Sequence, residues 1–578
     1  MYGCTITING RVARRPGDIA YQGILCSNYM IKKFEQDKVF AETDDFILLL
    51  DGVILNRKDL IAEYIASCSG DGESQWVSVL ECLYKRKGEQ FFAALRGSFA
   101  GALYDKGAKK WIIFSDQIGS KFIYYALVGD FFCCSQEMGH IYQMLRDNGI
   151  TYHMDSKGAW MLLTYGFMLD NVTLCEEVRK INPGCYITLQ NGILKEHRYY
   201  LVNNTPDLSI SEQDAIEIID HYFRKAVTRE FEKDREYNYR HLVCLSGGLD
   251  CRMTSFVAHD CGFTDQLNMT FSQTGYWDQT LPMRMSAALK HEWIFKALDN
   301  GIWLYDVDDI IHSNGGNVLY YGTAHANSLL KYINFEHLGL EHTGQLGDVI
   351  LGSFVKANER DVKYSLGDRA YSKQYLDHLM DYRLTLDTSK EIGLFYYRGF
   401  NGTNNGLQYI YNYTEVLSPF FEIDFMEKAL SIPLALRQNH YIYKKWILAK
   451  YPKAAEFEWE TTGRKITDVL ATNAPRSFKS YMPSFIMTPL RQLKRRITGK
   501  SIGGTTKQDA SFGMNPLDYY LSHNRDLLDH LSEYFQYTDA ISDKEIRSTL
   551  EGIKDSGTAI EKIQAISLLG AVKLFYSW

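Results

Sequence analysis

The stretch HLVCLSGGLDCRM, from His241 to Met253, determines how the larger part of this chain folds. An apolar run ends at Ser246, two glycines follow, and Asp250 comes after one further apolar residue. Glycines at the end of an apolar run let the backbone turn sharply and come close to a ligand. The sequence therefore predicts a buried strand, a tight turn and the start of a helix.

The segments around this stretch alternate between helical and strand patterns. A helical pattern at 215–231 precedes it, and a helix, the strand QLNMTFS, a second helix and the strand EWIFKAL follow it. Strands that alternate with helices predict a parallel sheet covered on both faces. Ligands of such sheets bind at the carboxyl ends of the strands, where Ser246 lies.

The chain before about residue 200 has a different pattern. Short runs such as TITING, FILLLDGVI and GSFAGALYD alternate in polarity and are separated by Gly, Asp and Asn. This pattern predicts a largely antiparallel β domain, with helices at 56–66, 74–86 and 135–146. Ser-x-x-Asp at 211–214 predicts a helix start after a linker. The predicted domains are 1–203, 208–475 and a helical extension at 476–578.

Composition excludes several classes of function. At 578 residues the chain is too long for one hydrophobic core, and its net charge of -7 argues against a nucleic-acid partner. The sequence contains no apolar run long enough to span a membrane and shows no secretory signal. The eleven cysteines are scattered and form no CxxC pair, so we expect a cytoplasmic protein with free thiols.

The turn at Ser246, Gly247 and Gly248 has the composition of an anion site. The turn is expected to leave several backbone amides of the following helix start unpaired, where they attract negative charge, and the Ser246 hydroxyl adds a donor. Asp250 would repel bare phosphate, so it suits a site in which the carboxylate and the phosphate share a magnesium ion. The alternative is a structural turn in which Asp250 interacts with the helix dipole.

Two sequence motifs carry a resemblance to a known family. Ser246 to Asp250 resembles the SGGxDS loop of the ATP-pyrophosphatase superfamily. HTGQLGDVILGSF, at 342–354, resembles the SGEGxDE element of asparagine synthetases, with Gly344 and Asp348 retained. LRGSFAGALYD and GFMLDNVTLCEEVRKINPG are similar to amino-terminal segments of that family. The chain is identified as a member of the asparagine synthetase family over roughly residues 1 to 470.

The resemblance implies a fold and a set of site residues. The implied fold is an amino-terminal Ntn-hydrolase-like antiparallel β-sandwich with helices, followed by a PP-loop parallel sheet with a helical extension. The implied catalytic residues are Lys465, which would neutralise charge at the acyl phosphate, and Gln345, which stands at a family glutamate. Asp250 and Asp348 would hold magnesium through pyrophosphate. The implied ATP and pyrophosphate contacts are Leu245, Ser246, Gly247, Gly248, Asp250, Thr270 and Gly344.

The glutamine-hydrolysing half departs from the family pattern. Tyr2 occupies the position of the nucleophilic cysteine, and Cys4 would become the first residue only after unusual processing. Asp51, Val53 and Arg96 replace the residues that the family uses to hold glutamine. Loss of a nucleophile lowers activity by several orders of magnitude. We expect a domain with the amidotransferase fold that does not hydrolyse glutamine.

The resemblance implies an ATP-dependent ligase that forms an amide through an acyl adenylate and releases pyrophosphate. Its cofactors would be ATP and Mg²⁺, and its partners a small-molecule carboxylate and ammonia or an amine. Aspartate giving asparagine is the default substrate pair. The alternatives are a sugar acid or peptide carboxylate, or a non-catalytic nucleotide-binding regulatory relative. The chain could also form a homodimer.

Overall fold

The computed structural model describes residues 3–11, 13–64, 73–472 and 512–577. Tyr2 and residues 476–511 of the expected extension lie outside these ranges. The strands are β1 (Cys4–Ile8), β2 (Ile19–Tyr21), β3 (Ile24–Asn28), β4 (Val39–Glu42), β5 (Phe46–Ile54), β6 (Gly97–Asp105), β7 (Lys110–Ser115), β8 (Tyr124–Val128), β9 (Phe131–Ser135), β10 (Val178–Lys180), β11 (Cys185–Gln190), β12 (Ile193–Arg198), β13 (Arg240–Cys244), β14 (Gln266–Ser272), β15 (Glu292–Ala297), β16 (Leu338–His342), β17 (Val416–Leu417), β18 (Glu458–Trp459) and β19 (Arg464–Lys465).

The first α-helix follows β5, and most of the α-helices lie beyond β12. They are α1 (Arg57–Tyr64), α2 (Glu73–Lys87), α3 (Met138–Asp147), α4 (Ser156–Tyr165), α5 (Glu212–Glu236), α6 (Asp250–Asp260), α7 (Trp277–Leu289), α8 (Val307–Asn314), α9 (Tyr321–Leu330), α10 (Gly347–Ile350), α11 (Lys390–Leu394), α12 (Ile423–Ser431), α13 (Leu434–Arg437), α14 (Tyr441–Lys450), α15 (Pro452–Ala455), α16 (Ile466–Thr472), α17 (Leu517–His523), α18 (Arg525–Ser532), α19 (Lys544–Ser556) and α20 (Ala559–Ala571).

The amino-terminal part contains two antiparallel sheets stacked face to face. One has the order β10-β8-β9-β1-β3-β2 and the other β12-β11-β7-β6-β5-β4. Their facing sides meet in an apolar cluster that includes Ile6, Leu49 and Phe132. Helices α1 and α2 pack on the outer side of the second sheet, beneath Phe46 and Leu48. The predicted antiparallel sandwich with flanking helices is confirmed.

The three helices expected in this part are present. Two have bounds within two residues of those expected, and the third begins at Met138 rather than at 135. The difference arises because the apolar run Phe131–Ser135 continues as strand β9 and is paired on both sides by β1 and β8. Strand pairing therefore takes precedence over the helical pattern at this boundary.

A five-stranded parallel sheet forms the centre of the second part, in the order β15-β14-β13-β16-β17. Helix α5 precedes it and begins with the expected cap, in which Ser211 and Asp214 form a reciprocal capping box. Strand β14 has the bounds predicted from QLNMTFS. The parallel α/β architecture predicted from the alternation of strands and helices is confirmed.

None of the helices within the described ranges combines the length and apolar character needed to cross a bilayer. The described part of the expected extension, residues 512–577, is helical. Helix α20 is almost entirely buried, and its apolar residues join the cluster that also contains Leu145 and Leu162 of α3 and α4. The last helices therefore share their core with the amino-terminal part.

Candidate functional site

The largest cavity among those described here lies at the carboxyl end of the parallel sheet and has a volume of about 550 Å³. It is positioned by the strand order. The chain proceeds from β13 through β14 to β15 on one side and then returns to place β16 on the other side of β13. This reversal opens a crevice between the two strand ends, where ligands of such sheets bind. Six of the expected site residues line the cavity: Ser246, Gly248, Asp250, Gly344, Gln345 and Asp348.

Small residues allow the two strand ends to approach each other. A Cβ on Gly344 would overlap the backbone nitrogen of Cys251, and one on Gly347 would lie 2.8 Å from the carboxyl carbon of Asp250. The Thr254 hydroxyl donates a hydrogen bond to the carbonyl of Thr343 at 3.1 Å and joins α6 to the second loop. The crevice is therefore closely packed beneath the cavity.

Asp250 and Asp348 have the electrostatics of an incomplete cation site. One oxygen of Asp250, Oδ1, is buried without a hydrogen-bond partner. Burial raises the pKa of Asp250 well above its usual range, and the nearby charge of Asp348 raises it further. Burial also raises the pKa of Asp348. Hard carboxylate oxygens in this state suit Mg²⁺, which binds one or two carboxylates together with phosphate oxygens.

The glycine turn differs from expectation in one respect. The amide of Gly247 donates to the Asp278 carboxylate at 2.7 Å, and the amide of Gly248 donates to the Ser246 hydroxyl at 3.3 Å. Both amides thus have partners, whereas the sequence predicted unpaired donors. Burial raises the pKa of Asp278 to about 7, and the charge of Glu460 contributes to this rise. A phosphate at this turn would displace or share the Asp278 contact.

Leu245 and Thr270 lie beneath the cavity. The Thr270 hydroxyl donates to the Leu245 carbonyl at 2.6 Å and accepts a hydrogen bond from the Trp293 indole at 3.1 Å. Both side chains are buried. These contacts fix β14 against β13, so the two residues support the turn rather than face the cavity.

The two expected catalytic residues differ in position. Gln345 lines the cavity, and its amide nitrogen donates to the Thr403 carbonyl at 3.1 Å. Lys465 is exposed on the short β18–β19 hairpin, where it pairs with Glu458, and it is not among the cavity-lining residues. The hairpin does approach the glycine turn, because the Glu460 amide donates to the Gly247 carbonyl at 3.3 Å.

Arg398 is a cavity residue that the sequence did not indicate. It lies in the π-helical segment Phe395–Gly402, and its guanidinium donates to the Tyr371 hydroxyl at 3.0 Å. Burial raises the pKa of Asp348, and the positive charges of His440 and Arg398 partly offset this rise. No recognised motif surrounds Arg398 in the sequence, so only the fold reveals that it faces the strand ends.

The amino-terminal sandwich contains a second group of candidate residues, which we call the four-charge cluster: Lys38, Asp51, Lys121 and Glu415. The Lys121 ammonium lies 2.8 Å from Asp51 and 2.9 Å from Glu415, and the Lys38 ammonium lies 3.2 Å and 2.7 Å from the same two carboxylates. All four side chains are at most 6% exposed. Burial alone would raise the pKa of Asp51, but the two lysines hold it well below its usual range.

This cluster occupies the region where the resemblance placed the glutamine amide. Gln136 connects it to β1, because its side chain donates to Asp51 at 3.1 Å and accepts from the Cys4 amide at 3.0 Å. The cavity beside Cys4 and Asp51 has a volume of about 30 Å³, room for about two water molecules. Burial raises the pKa of the Cys4 thiol well above its usual range, which disfavours a thiolate there.

The other two altered pocket residues also have structural contacts. Val53 is fully buried in β5. The Arg96 guanidinium donates to the carbonyls of Ala93 and Leu95 at 3.0 and 3.1 Å. Val53 offers no charge to a glutamine α-carboxylate, and the positive charge of Arg96 would repel a glutamine α-amino group. The expected nucleophile position, Tyr2, lies outside the described residues.

Comparison with solved structures matched a glutamine phosphoribosylpyrophosphate amidotransferase from B. subtilis complexed with ADP and GMP. It is 12% identical with a TM-score of 0.24, and the match covers 51% of this chain and 59% of that chain. A second match is the allosteric regulatory enzyme of purine biosynthesis, which is 10% identical with a TM-score of 0.25. This match covers 51% of this chain and 74% of that chain.

Sequence comparison gives a family and a relative. The glutamine-hydrolysing asparagine synthetase 1 of Bacillus subtilis (strain 168) is 23% identical over 274 residues, which cover 47% of this chain and 42% of that relative. The chain thus spans less than half the length of the relative. The family model of the glutamine amidotransferase domain matches residues 33–200. Residues 33–200 therefore resemble a glutamine amidotransferase domain, within the part of the chain that forms two stacked antiparallel sheets, and the chain is similar to an asparagine synthetase over 47% of its length.

Proposed function

We propose that the chain is an ATP-dependent ligase that joins a carboxylate to ammonia or an amine and does not hydrolyse glutamine. The observation that carries this proposal is the pair of buried carboxylates Asp250 and Asp348 at the crevice, with one Asp250 oxygen unpartnered beside the glycine turn. Two buried carboxylates next to an anion-binding turn, one of them with an unpartnered oxygen, suit a nucleotide phosphate with its metal ion.

The chemistry proceeds in two steps. A substrate carboxylate oxygen attacks the α-phosphorus of ATP, which forms an acyl adenylate and releases pyrophosphate. The amine nitrogen then attacks the acyl carbon, which forms the amide and releases AMP and a proton. Asp250 and Asp348 would hold Mg²⁺, and the bound ion would offset the negative charge of the phosphates. Arg398 supplies a fixed positive charge within the same cavity.

The source of nitrogen follows from the amino-terminal domain. The space beside Cys4 and Asp51 is too small for glutamine, and the charges that line it already neutralise one another. Ammonia or an amine taken directly from solution is therefore the proposed donor. Purified protein that releases glutamate from glutamine would contradict this part of the proposal.

The default acceptor is aspartate, as in the relative named above, and the product would be asparagine. A sugar acid or a peptide carboxylate is the other proposed acceptor class, because a cavity of about 550 Å³ also accommodates such groups. A non-catalytic nucleotide-binding role is the second candidate. It is favoured by Gln345, whose amide is bonded to a backbone carbonyl and cannot act as a base.

Pyrophosphate release with Mg²⁺, ATP and a panel of carboxylates and amines tests the proposal. Asp250→Asn should lower this release by about 100-fold or more, because a metal ligand contributes several kcal/mol to the transition state. Asp260→Asn, at the exposed end of the same helix, is the matched control and should stay near wild type. Nucleotide binding without release by wild type across the panel would favour the non-catalytic role.

A further inference from the structure

Glu341 is a buried carboxyl group that neither the sequence motifs nor the proposed mechanism uses. It is the penultimate residue of β16 and is 6% exposed. Its neighbour His342 points to the α5 side of the sheet, where it bonds Asp234 at 2.8 Å. Because side chains alternate along a strand, Glu341 faces the opposite side, where it lines the 550 Å³ cavity.

The Glu341 carboxylate has no partner among the residues that the structure describes. None of them donates a hydrogen bond to it or forms an ion pair with it. Burial raises the pKa of Glu341, the nearby Cys251 thiol adds to this rise, and His342 opposes it. Several other buried acids of the chain are paired. Asp234 contacts two histidines at 2.8 Å, and Glu391 contacts Arg437 at 3.0 Å. A buried carboxylate without a partner is unfavourable, so this position suits a ligand that supplies one.

The surroundings indicate what kind of ligand this is. Cys244 and Cys251, which line the same region of the cavity, are weak donors. A single carboxylate in such surroundings matches a group that brings both positive charge and N–H donors.

We propose that Glu341 binds the ammonium group of a substrate of this site, which places a nitrogen-recognition point on the floor of the cavity. The proposal rests on the function proposed above and specifies its substrate class. The ammonium group has two sources, the nitrogen donor itself or an amino group carried by the carboxylate acceptor. Arg398 lines the same cavity with the opposite charge, so a substrate with both charged groups would find a partner for each.

The first experiment measures binding without turnover. Full-length wild type, Glu341→Gln and the exposed-site control Glu336→Gln are compared by thermal shift with ammonium chloride, methylammonium chloride and aspartate, against sodium chloride. We expect the ammonium-bearing probes to raise the melting temperature of wild type and the control but not of Glu341→Gln. No shift in wild type with any probe, or equal shifts in all three proteins, overturns the proposal. Glu341→Asp keeps the charge and should retain part of the shift.

The second experiment measures pyrophosphate release and separates the two sources. Glu341→Gln should raise KM for the ammonium-bearing substrate about 10- to 100-fold, as expected for a lost charged hydrogen bond, with KM for ATP unchanged. A higher KM for the amine identifies the nitrogen donor, and a higher KM for the carboxylate identifies an amino group on the acceptor. A higher KM for ATP alone overturns the proposal. Thermal shifts as expected with no pyrophosphate release would refute the proposed function but support the ammonium site.

Discussion

Arg398 and Lys465 are alternative sources of the positive charge that the proposed reaction needs. Arg398 lines the cavity, whereas Lys465 is exposed on a hairpin outside it. We therefore expect Arg398→Ala to lower kcat/KM for pyrophosphate release by about 100-fold or more, and Lys465→Ala to lower it far less. The opposite ranking would show that the hairpin closes over the cavity during turnover and that the family assignment of Lys465 is right.

Glu341 should also make stability depend on pH. Burial raises its pKa from an ordinary value of 4.5 to about 8, so the folded chain keeps a proton that the unfolded chain has lost. A group whose pKa is raised on folding in this way lowers stability as pH rises between those two values. Glu341→Gln removes this penalty, so its melting temperature relative to wild type should increase from pH 5 to pH 8. If the melting temperatures of the two proteins changed with pH in parallel, the raised pKa would be wrongly assigned to Glu341.

Residues within a local motif were predictable, and residues whose role depends on distant neighbours were not. Ser246, Gly248, Asp250 and Asp348 follow strands in recognisable motifs, and the structure brings them to one cavity. The partner of the Gly247 amide is Asp278, 31 residues away, and Lys38 meets Glu415 from another part of the chain. Such pairings depend on packing between elements, which a local pattern does not encode.

At the scale of elements, the two loops that follow β13 and β16 determine the shape of the site. Gly344→Ala would force them apart, because the added Cβ overlaps the Cys251 backbone nitrogen. We expect this variant to remain folded and to lose nucleotide-dependent thermal stabilisation. Gly552→Ala is the control: no atom lies within 4 Å of its added Cβ, and alanine in the interior of α19 should stabilise the chain by about 0.5 to 1 kcal/mol.

Most elements of the parallel sheet were predictable because strands and helices alternate with clear changes of pattern. Strand β14 has the expected bounds, and α5 begins at its predicted cap. The segment Phe395–Gly402 was not predictable, because a π-helical turn has no periodic signature of its own. Arg398 lies on this turn, so its position in the cavity could not be predicted from the sequence.

At the scale of the whole molecule, the four-charge cluster joins the two parts of the chain. Lys38, Asp51 and Lys121 belong to the sandwich, whereas Glu415 immediately precedes β17 of the parallel sheet. Lys121→Met would leave two buried carboxylates with one cation, so we expect a loss of about 3 to 5 kcal/mol in the free energy of unfolding. Chemical denaturation measures this loss.

Lys363→Met is the matched control for this prediction. Lys363 pairs with Asp387 at 2.8 Å, but both side chains are more than 70% exposed, so the substitution should cost less than about 1 kcal/mol. Equal effects of the two substitutions would show that the buried cluster does not couple the two parts. A larger effect of Lys121→Met, with loss of pyrophosphate release, would show that the sandwich stabilises the site it does not line.

The four-charge cluster also restricts the evolutionary routes open to this chain. A descendant that regained a glutamine pocket would have to empty the space around Asp51, yet removing any one member leaves an unpaired charge in the interior. Keeping the interior neutral requires the replacement of one cation and one carboxylate together. One of the two carboxylates, Glu415, belongs to the other part of the molecule. On the proposal that this domain does not hydrolyse glutamine, a single substitution in the cluster would therefore not open a glutamine pocket without leaving a buried charge unpaired.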